Sequence, residues 1–215
     1  MSLEMEAINA DNWTSKVVSP KTVTGKIKPG MSIFVGTAGA EPRTMVRHLM
    51  SVNDKNLEDL ELIQLVSLGD AVSLQALQSQ KFRLTTFFSG WVADEAIEAG
   101  RVDLIPSRFV KIPQLIESRL APIDVAIVQM TAPNEAGFCS LGVAVDVARE
   151  VLDQAAIRVG EINTDIPFTF GDTFVHVSEF DLLVRSTDAP IFLDRWQTDD
   201  IWDHVALNVA SLIED

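Results

Sequence analysis

Apolar positions in this chain fall into short blocks separated by glycine, proline and acid-rich turns, and the blocks alternate between two periods. Met31–Thr37 (MSIFVGT) is continuously apolar and bounded by glycine, the pattern of a buried strand. Pro42–Met50 reads as a helix with proline at its first position, where the missing N–H costs nothing. Leu57–Leu68, with Gly69 behind it, reads as a helix tip and then a strand. Phe82–Phe88 is rich in β-branched and aromatic residues and predicts a strand, and Val92–Ala99 a short helix stopped by Gly100. Val102–Ile105 predicts a strand and Pro113–Leu120 a helix. Asp124–Thr131 (DVAIVQMT) is apolar through its centre, as expected of a parallel strand covered on both faces. Val145–Ala155 predicts a helix and Ala156–Ile162 a strand. Phe174–Val184 can be strand throughout, with Phe174, His176 and Ser178 facing one way and Val175 and Val177 the other. Strands alternating with helices predict an α/β domain with a largely parallel central sheet flanked by helices, and loops gathered at the strand ends where such folds bind ligands.

The two ends read differently. Residues 1–30 are a polar lead-in with lysine-rich turns ending at Pro29–Gly30. Asp199–Asp215 carries apolar residues at 201, 205, 209, 212 and 213, an amphipathic helix. It closes on two acids, against the macrodipole, with no glycine cap and no basic last turn. That ending predicts a chain interrupted in or just after a helix. The organisation expected is a lead-in over 1–30, an α/β domain over 31–195, and a helix over 196–215 leading into a second domain beyond the chain.

Composition narrows the function classes. At 215 residues and 47% apolar the chain can bury a full core, and no run approaches the roughly 18 apolar residues of a membrane span. The net charge of −14 argues against a nucleic-acid partner, which needs basic clusters. Residues 179–215 hold nine acids against two bases, so a polyanionic ligand would need local basic groups or helix ends to offset the field. The acidic amino terminus lacks an export signal, and the single cysteine, Cys139, excludes an internal disulfide; both fit a cytoplasmic location.

Four loops are candidates to line a site. Gly36-Thr-Ala-Gly39-Ala-Glu41-Pro42 joins a strand to a helix; its glycines allow close ligand approach and the helix start presents free N–H groups, although a turn that needs glycine for geometry alone reads the same way. Glu41 fits equally as a residue favoured by the helix dipole. Ser89 and Gly90 follow an aromatic strand, either as a helix cap or at the mouth of a site. In Phe138-Cys139-Ser140-Leu141-Gly142, Cys139 reads as a small buried residue, because no local Cys–His pair appears to activate it. Ser140 and Gly142 are better candidates as lining. Asp172 and His176 sit in GDTFVHVS, where His176 alternates with apolar residues and reads first as a half-buried histidine, second as a group near a channel. Metal-ligand spacings, the G-x-S-x-G elbow, the P-loop and the dinucleotide G-x-G-x-x-G are all absent from the sequence. No catalytic group stands out.

The loops carry a further signal. APNEAGFCSLG (Ala132–Gly142) and INTDIPFTFGDTFVHVSEFD (Ile162–Asp181) resemble the amino-terminal half of the acetyl-CoA hydrolase/transferase family, which includes 4-hydroxybutyrate CoA-transferases. GTAGAEP (Gly36–Pro42) is similar to the family's first loop, Phe87–Leu115 to its second block, and NVASLIED at the carboxyl end to the helix that opens the second half. The likeness covers roughly residues 20–215. Asn134–Glu135 stands where Asp-Glu is usual, Phe138 replaces a common Tyr, and Phe168 replaces a common Arg, which removes an anion contact.

The resemblance implies a CoA-transferase-like α/β domain, one of two similar halves with the active site between them. It implies that acyl-CoA, as substrate rather than as a permanently bound cofactor, and a small carboxylate are the ligands. The chemistry would be nucleophilic, a glutamate attacking the thioester to form an anhydride and then a glutamyl-CoA thioester. That glutamate lies in the family's second half, so no catalytic residue falls here, and Gly36, Gly39, Glu41, Ser89, Gly90, Ser140, Gly142, Asp172 and His176 are candidates for one wall of the cleft. The chain alone would be inactive; its partners are the missing carboxyl-terminal domain and, through the surface that domain would cover, a second copy. The alternatives are a non-catalytic binding module on the same fold and a subunit that scaffolds a catalytic partner.

Overall fold

The computed structural model describes residues 10–52, 56–66, 68, 82–88, 97–98, 100, 102–119, 122–192 and 198–213. Its centre is a seven-stranded sheet of β1 (Ser32–Val35), β2 (Leu60–Gln64), β3 (Phe82–Thr86), β4 (Val102–Leu104), β5 (Val125–Met130), β7 (Ile157–Ile162) and β9 (Leu182–Arg185), in the order β4-β3-β2-β1-β5-β7-β9. Every neighbouring pair is parallel. β6 (Phe138–Ser140) and β8 (Phe174–His176) form a separate antiparallel ribbon.

The apolar blocks work as a two-sided sheet because alternate residues serve opposite cores. Ile33, Val35, Val125 and Ile127 enter one cluster. Phe34, Ala126, Val128 and Met130 enter the other. All six residues of β5 are buried, which is why its sequence shows no polar alternation. Helices cover both faces: α2 (Arg43–Ser51) supplies Met45, Val46 and Leu49 to the first core, whereas α3 (Ile112–Glu117) and α4 (Ala148–Gln154) supply Ile112, Ile116, Val151 and Leu152 to the second.

The lead-in contributes to this fold. A 3-10 helix spans Ala10–Lys16, and α1 (Pro20–Thr24) is capped by Ser19, whose side chain accepts from Thr22 N–H. Val23 and Ile27 are buried in the first core. Val17 bridges Leu183 in parallel, and Val18 N–H donates to Leu183 O at 2.8 Å, so the lead-in lies along the β9 edge and shields its backbone groups.

Three elements differ from the sequence reading. Residues 57–59 are bends before β2, without the helix tip; Asp59 takes φ +54° there, and Leu57 packs into the first core. Phe174–Val184 is not one strand. β8 stops at His176, whose side chain accepts from Ser178 N–H while the Glu179 side chain accepts from His176 N–H, a capping box that turns Val177–Glu179 into a 3-10 helix. β9 then begins at Leu182 in the main sheet, so one stretch read as a single strand serves two sheets. The alternation itself holds over the short strand, with Val175 buried between half-buried Phe174 and His176. Finally, α5 (Asp200–Ala210), capped by Asp199, buries none of its residues: Ile201, Leu207 and Val209 on different sides are 72%, 68% and 56% exposed. Of the helix expected over Val92–Ala99, only Ile97 and Glu98 are described, and both are helical. No helix among the described residues is long and apolar enough to cross a membrane.

Candidate functional site

The sheet order contains one reversal. The chain runs outward from β1 through β2 and β3 to β4, then returns to β5 beside β1 and runs outward the other way through β7 to β9. Between the carboxyl ends of β1 and β5 the loops therefore leave in opposite directions and open a crevice, the position at which open α/β sheets take ligands.

β1 enters this crevice through Gly36, whose N–H donates to Ile127 O at 3.0 Å. The chain doubles back so tightly that a Cβ on Gly36 would stand 2.5 Å from Ala40 O, so glycine is required there. Ala38 follows at φ +50°, a left-handed conformation unusual for alanine, held by its N–H to Val66 O at 3.0 Å. A 3-10 turn over Ala38–Ala40 then delivers the chain to α2.

Beneath these loops lies a buried polar layer. Gln64, at the end of β2, donates from Nε2 to Gly36 O at 2.9 Å and to Glu41 Oε2 at 3.0 Å. Gln129, near the end of β5, donates to Gly39 O at 3.2 Å and accepts from Asn163 Nδ2 at 2.8 Å. Glu161 on β7, wholly buried, accepts the N–H groups of Thr44 at 3.2 Å and Met45 at 2.8 Å and the Ser186 hydroxyl at 2.7 Å. These bonds place a carboxylate on the amino-terminal turn of α2, where the helix dipole favours it. Burial nevertheless raises the Glu161 pKa, against the Ser186 and backbone hydrogen bonds that lower it. Asp188 closes the layer: it accepts from Thr44 Oγ1 at 2.7 Å and pairs with Arg47, and these contacts, the Thr44 bond foremost, hold its pKa below the ordinary range.

The β6–β8 ribbon forms the other bank. Ser140 Oγ is fully buried and accepts the N–H groups of Gly142 and Thr169, both at 3.1 Å. Gly142, at φ +72°, accepts from Thr169 Oγ1 at 2.8 Å. A Cβ there would press on Ile166 Cδ1 at 2.9 Å. Ser140 and Gly142 thus tie the 167–173 loop to the ribbon. The outer face carries an aromatic group in which Phe174 contacts Phe138, Phe168 and Phe170, and His176 stands edge-on to Phe138 at 5.1 Å. His176 Nδ1 accepts from Ser178 N–H, so a neutral ring carries its proton on Nε2, the atom that faces Gly137.

Among the described residues two hollows open between the banks. The larger, of about 330 Å³, is walled by Ala38, Gly39, Val143, Ile166, Ile191 and Phe192 among others, and of its described lining residues Asp165 alone is charged. The smaller, about 10 Å³, lies deeper beside Gly36 and Thr37 and reaches Asp146. Asp146 has φ +44°, and burial raises its pKa, with the Thr37 hydroxyl acting in the opposite direction. That hydroxyl is buried and makes no hydrogen bond of full geometry.

The nine residues singled out in the sequence are therefore not equivalent. Gly39 lines the larger hollow and Gly36 the smaller. Glu41 is buried beneath them, and Ser140 and Gly142 brace the wall from behind. Asp172 is 98% exposed, with Arg149 Nε at 4.0 Å, and it and His176 sit on the ribbon outside both hollows. Ser89 and Gly90 lie outside the described residues. The sequence reading missed Gln64, Gln129, Glu161 and Asn163. The signal was present: each is a polar residue at or just past the carboxyl end of a strand with an apolar centre, and such a residue, once buried, must find partners inside. The two hollows present backbone groups and mainly apolar side chains for binding, and a hydroxyl–imidazole contact, Ser178 Oγ to His176 Nδ1 at 2.7 Å, lies on the ribbon side outside them. Cys139 is fully buried, with its pKa pushed up to about 12.

Comparison with known proteins agrees with this architecture. The family model described as the acetyl-CoA hydrolase/transferase N-terminal domain matches residues 2–201. The 4-hydroxybutyrate coenzyme A transferase of Clostridium kluyveri is 30% identical over 203 residues, which are 94% of this chain and 47% of that protein. The crystal structure of RipA from Yersinia pestis superposes with a TM-score of 0.85 at 20% identity, covering 97% of this chain and 51% of RipA. That of 4-hydroxybutyrate CoA-transferase from Porphyromonas gingivalis superposes with a TM-score of 0.70 at 26% identity, covering 95% of this chain and 47% of the other. The chain spans about half the length of each of these three relatives.

Proposed function

This chain belongs to the acetyl-CoA hydrolase/transferase family as its amino-terminal domain, and from that premise we propose that it forms one wall of an acyl-CoA hydrolase or CoA-transferase active site. The crevice between β1 and β5 faces the thioester and the carboxylate acceptor. The nucleophilic glutamate comes from a carboxyl-terminal half of comparable size, so the 215-residue chain by itself turns over no thioester. The domain proper occupies residues 31–195, residues 1–30 lead into it, and residues 196–215 carry the connection to the second half.

The observation that carries this reading is the pairing of half-length coverage with α5. Relatives with named CoA-transferase activity match over 47% of their length. α5 offers Ile201, Trp202, Val205, Leu207, Val209 and, just beyond it, Leu212 and Ile213 to solvent. Apolar exposure on this scale marks a surface that another body covers. Acyl transfer through a glutamyl thioester needs this domain to orient the acyl group and exclude water while the other half supplies the nucleophile.

The test is complementation. A separately expressed carboxyl-terminal half of a family member, mixed with this chain, should bind it and release CoA from acetyl-CoA or another short acyl-CoA, with neither half active alone. Folded, associated halves that never cleave a thioester would defeat the reading.

A further inference from the structure

Resting on the CoA-transferase reading, we infer that the larger hollow is the seat of the acyl chain and that it selects uncharged alkyl groups over acyl groups bearing a second carboxylate. The hollow is about 330 Å³ and opens beside Gly39 at the crevice. Its walls are the side chains of Val143, Ile166, Pro167, Ile191 and Phe192. A cavity of this size and character takes an apolar group of several carbons. Each methylene it buries is worth about a fourfold gain in affinity.

Charge decides the other half of the inference. A distal carboxylate entering such a hollow loses its hydration and needs a cation or several donors in return. Among the described residues none of the lining groups is Lys or Arg, and the one charged group present, Asp165, repels a second carboxylate. Neither arginine of α2 is among the lining residues: Arg43 Nη1 donates to Ala189 O at 2.9 Å, and Arg47 pairs with Asp188. Phe168, three residues from Asp165, adds no donor; its ring packs against Phe170 and Phe174 at centroid distances of 5.8 and 5.3 Å. The floor is equally specific. Gly39 carries no side chain, and a Cβ there would lie 3.4 Å from Val143 Cγ2, so a larger residue at 39 grows into the hollow.

Methyl NMR spectra of the 215-residue chain test this directly. Val143, Ile166 and Ile191 report from the hollow, and Ile33 and Leu84 from the core report that the fold is intact. The probes are hexanoyl-CoA, succinyl-CoA, CoA alone and free hexanoate and succinate. Hexanoyl-CoA should move the three reporters, CoA alone should not, and succinyl-CoA should bind at least about tenfold more weakly, a gap of about 1.4 kcal/mol. Asp165→Lys should narrow that gap, and Gly39→Val should abolish the hexanoyl response while the core methyls stay in place. Equal affinity for the two thioesters overturns the inference, as does hexanoyl-CoA bound with the reporters unmoved, or silence from every probe. If hexanoate moves the reporters in preference to succinate but no thioester binds more tightly than hexanoate, the hollow's selectivity stands and the CoA reading falls. Complemented halves that cleave thioesters without preference between hexanoyl and succinyl give the reverse result.

Discussion

Glu161 Oε2 accepts the backbone N–H of Met45 at 2.8 Å, which seats a fully buried carboxylate of β7 on the first turn of α2. Residues 116 apart in sequence thereby tie β7 to the helix that follows β1. Replacing Glu161 with alanine leaves the Thr44 and Met45 N–H groups without this acceptor, and the Ser186 hydroxyl with Asp188 O at 3.1 Å in its place. The expected loss is about 2–4 kcal/mol of unfolding free energy, read from urea denaturation. A variant within about 0.5 kcal/mol of the parent would show that water replaces the carboxylate freely.

Glu161 and Asp188 should impose opposite pH dependences. Burial raises the folded-state pKa of Glu161, so its ionisation penalises the fold, and its contribution to stability falls as pH rises through the ordinary glutamate range towards the raised value. Asp188 is depressed, first by the Thr44 hydroxyl, so it stabilises the fold above the ordinary aspartate range and that contribution is lost as pH falls through the depressed value. Glu161→Gln should remove the first slope and Asp188→Asn the second, in denaturation series from pH about 3 to 8. Unchanged slopes in both variants would locate the pH dependence elsewhere.

Cys139 should behave as a core residue. With a pKa near 12 and no exposure, the folded protein holds roughly a thousandfold less thiolate than an ordinary cysteine at the same pH. Ellman's reagent should label it only at the rate of unfolding and rapidly in denaturant. Fast labelling of the native chain would contradict its placement.

Gly36 and Gly39 make a paired test of the first loop. Gly36→Ala forces a Cβ to 2.5 Å from Ala40 O, a backbone atom, and should cost about 2 kcal/mol or more. Gly39→Ala brings its Cβ only to 3.4 Å from the end of a valine side chain and should leave stability within about 1 kcal/mol. Thermal melts of the two variants separate a loop glycine needed for geometry from one that keeps the hollow open.

Much of this was readable before any coordinates. β1, β3, β5 and β7 each appear within a residue or two of where apolar, β-branched and aromatic runs placed them, because strands of a sheet covered on both faces are mostly apolar at their centres. The run over Phe174–Val184 misled because its alternation of apolar and polar residues continues across the break. Only the bonds of His176 with Ser178 N–H and with the Glu179 carboxylate reveal that the chain turns. Among the site candidates, the glycine at position 36 was legible as a loop requirement. Whether His176 faced a channel was not, since alternation tells which residues share a face and not what lies opposite it.

The sequence by itself determined the α/β class, the family through its loop motifs, and the apolar character of the strands and of α5, all local properties of pattern and period. Tertiary structure alone decided the strand order, and with it the reversal between β1 and β5 that makes a crevice. It also decided that Gln64, Gln129, Glu161 and Asn163 form one layer under that crevice, and that Asp172 lies outside it. The reason is physical. Pattern records how each residue relates to water, whereas a site is made by residues distant in sequence whose hydrogen bonds exist only once the sheet has brought their strands side by side.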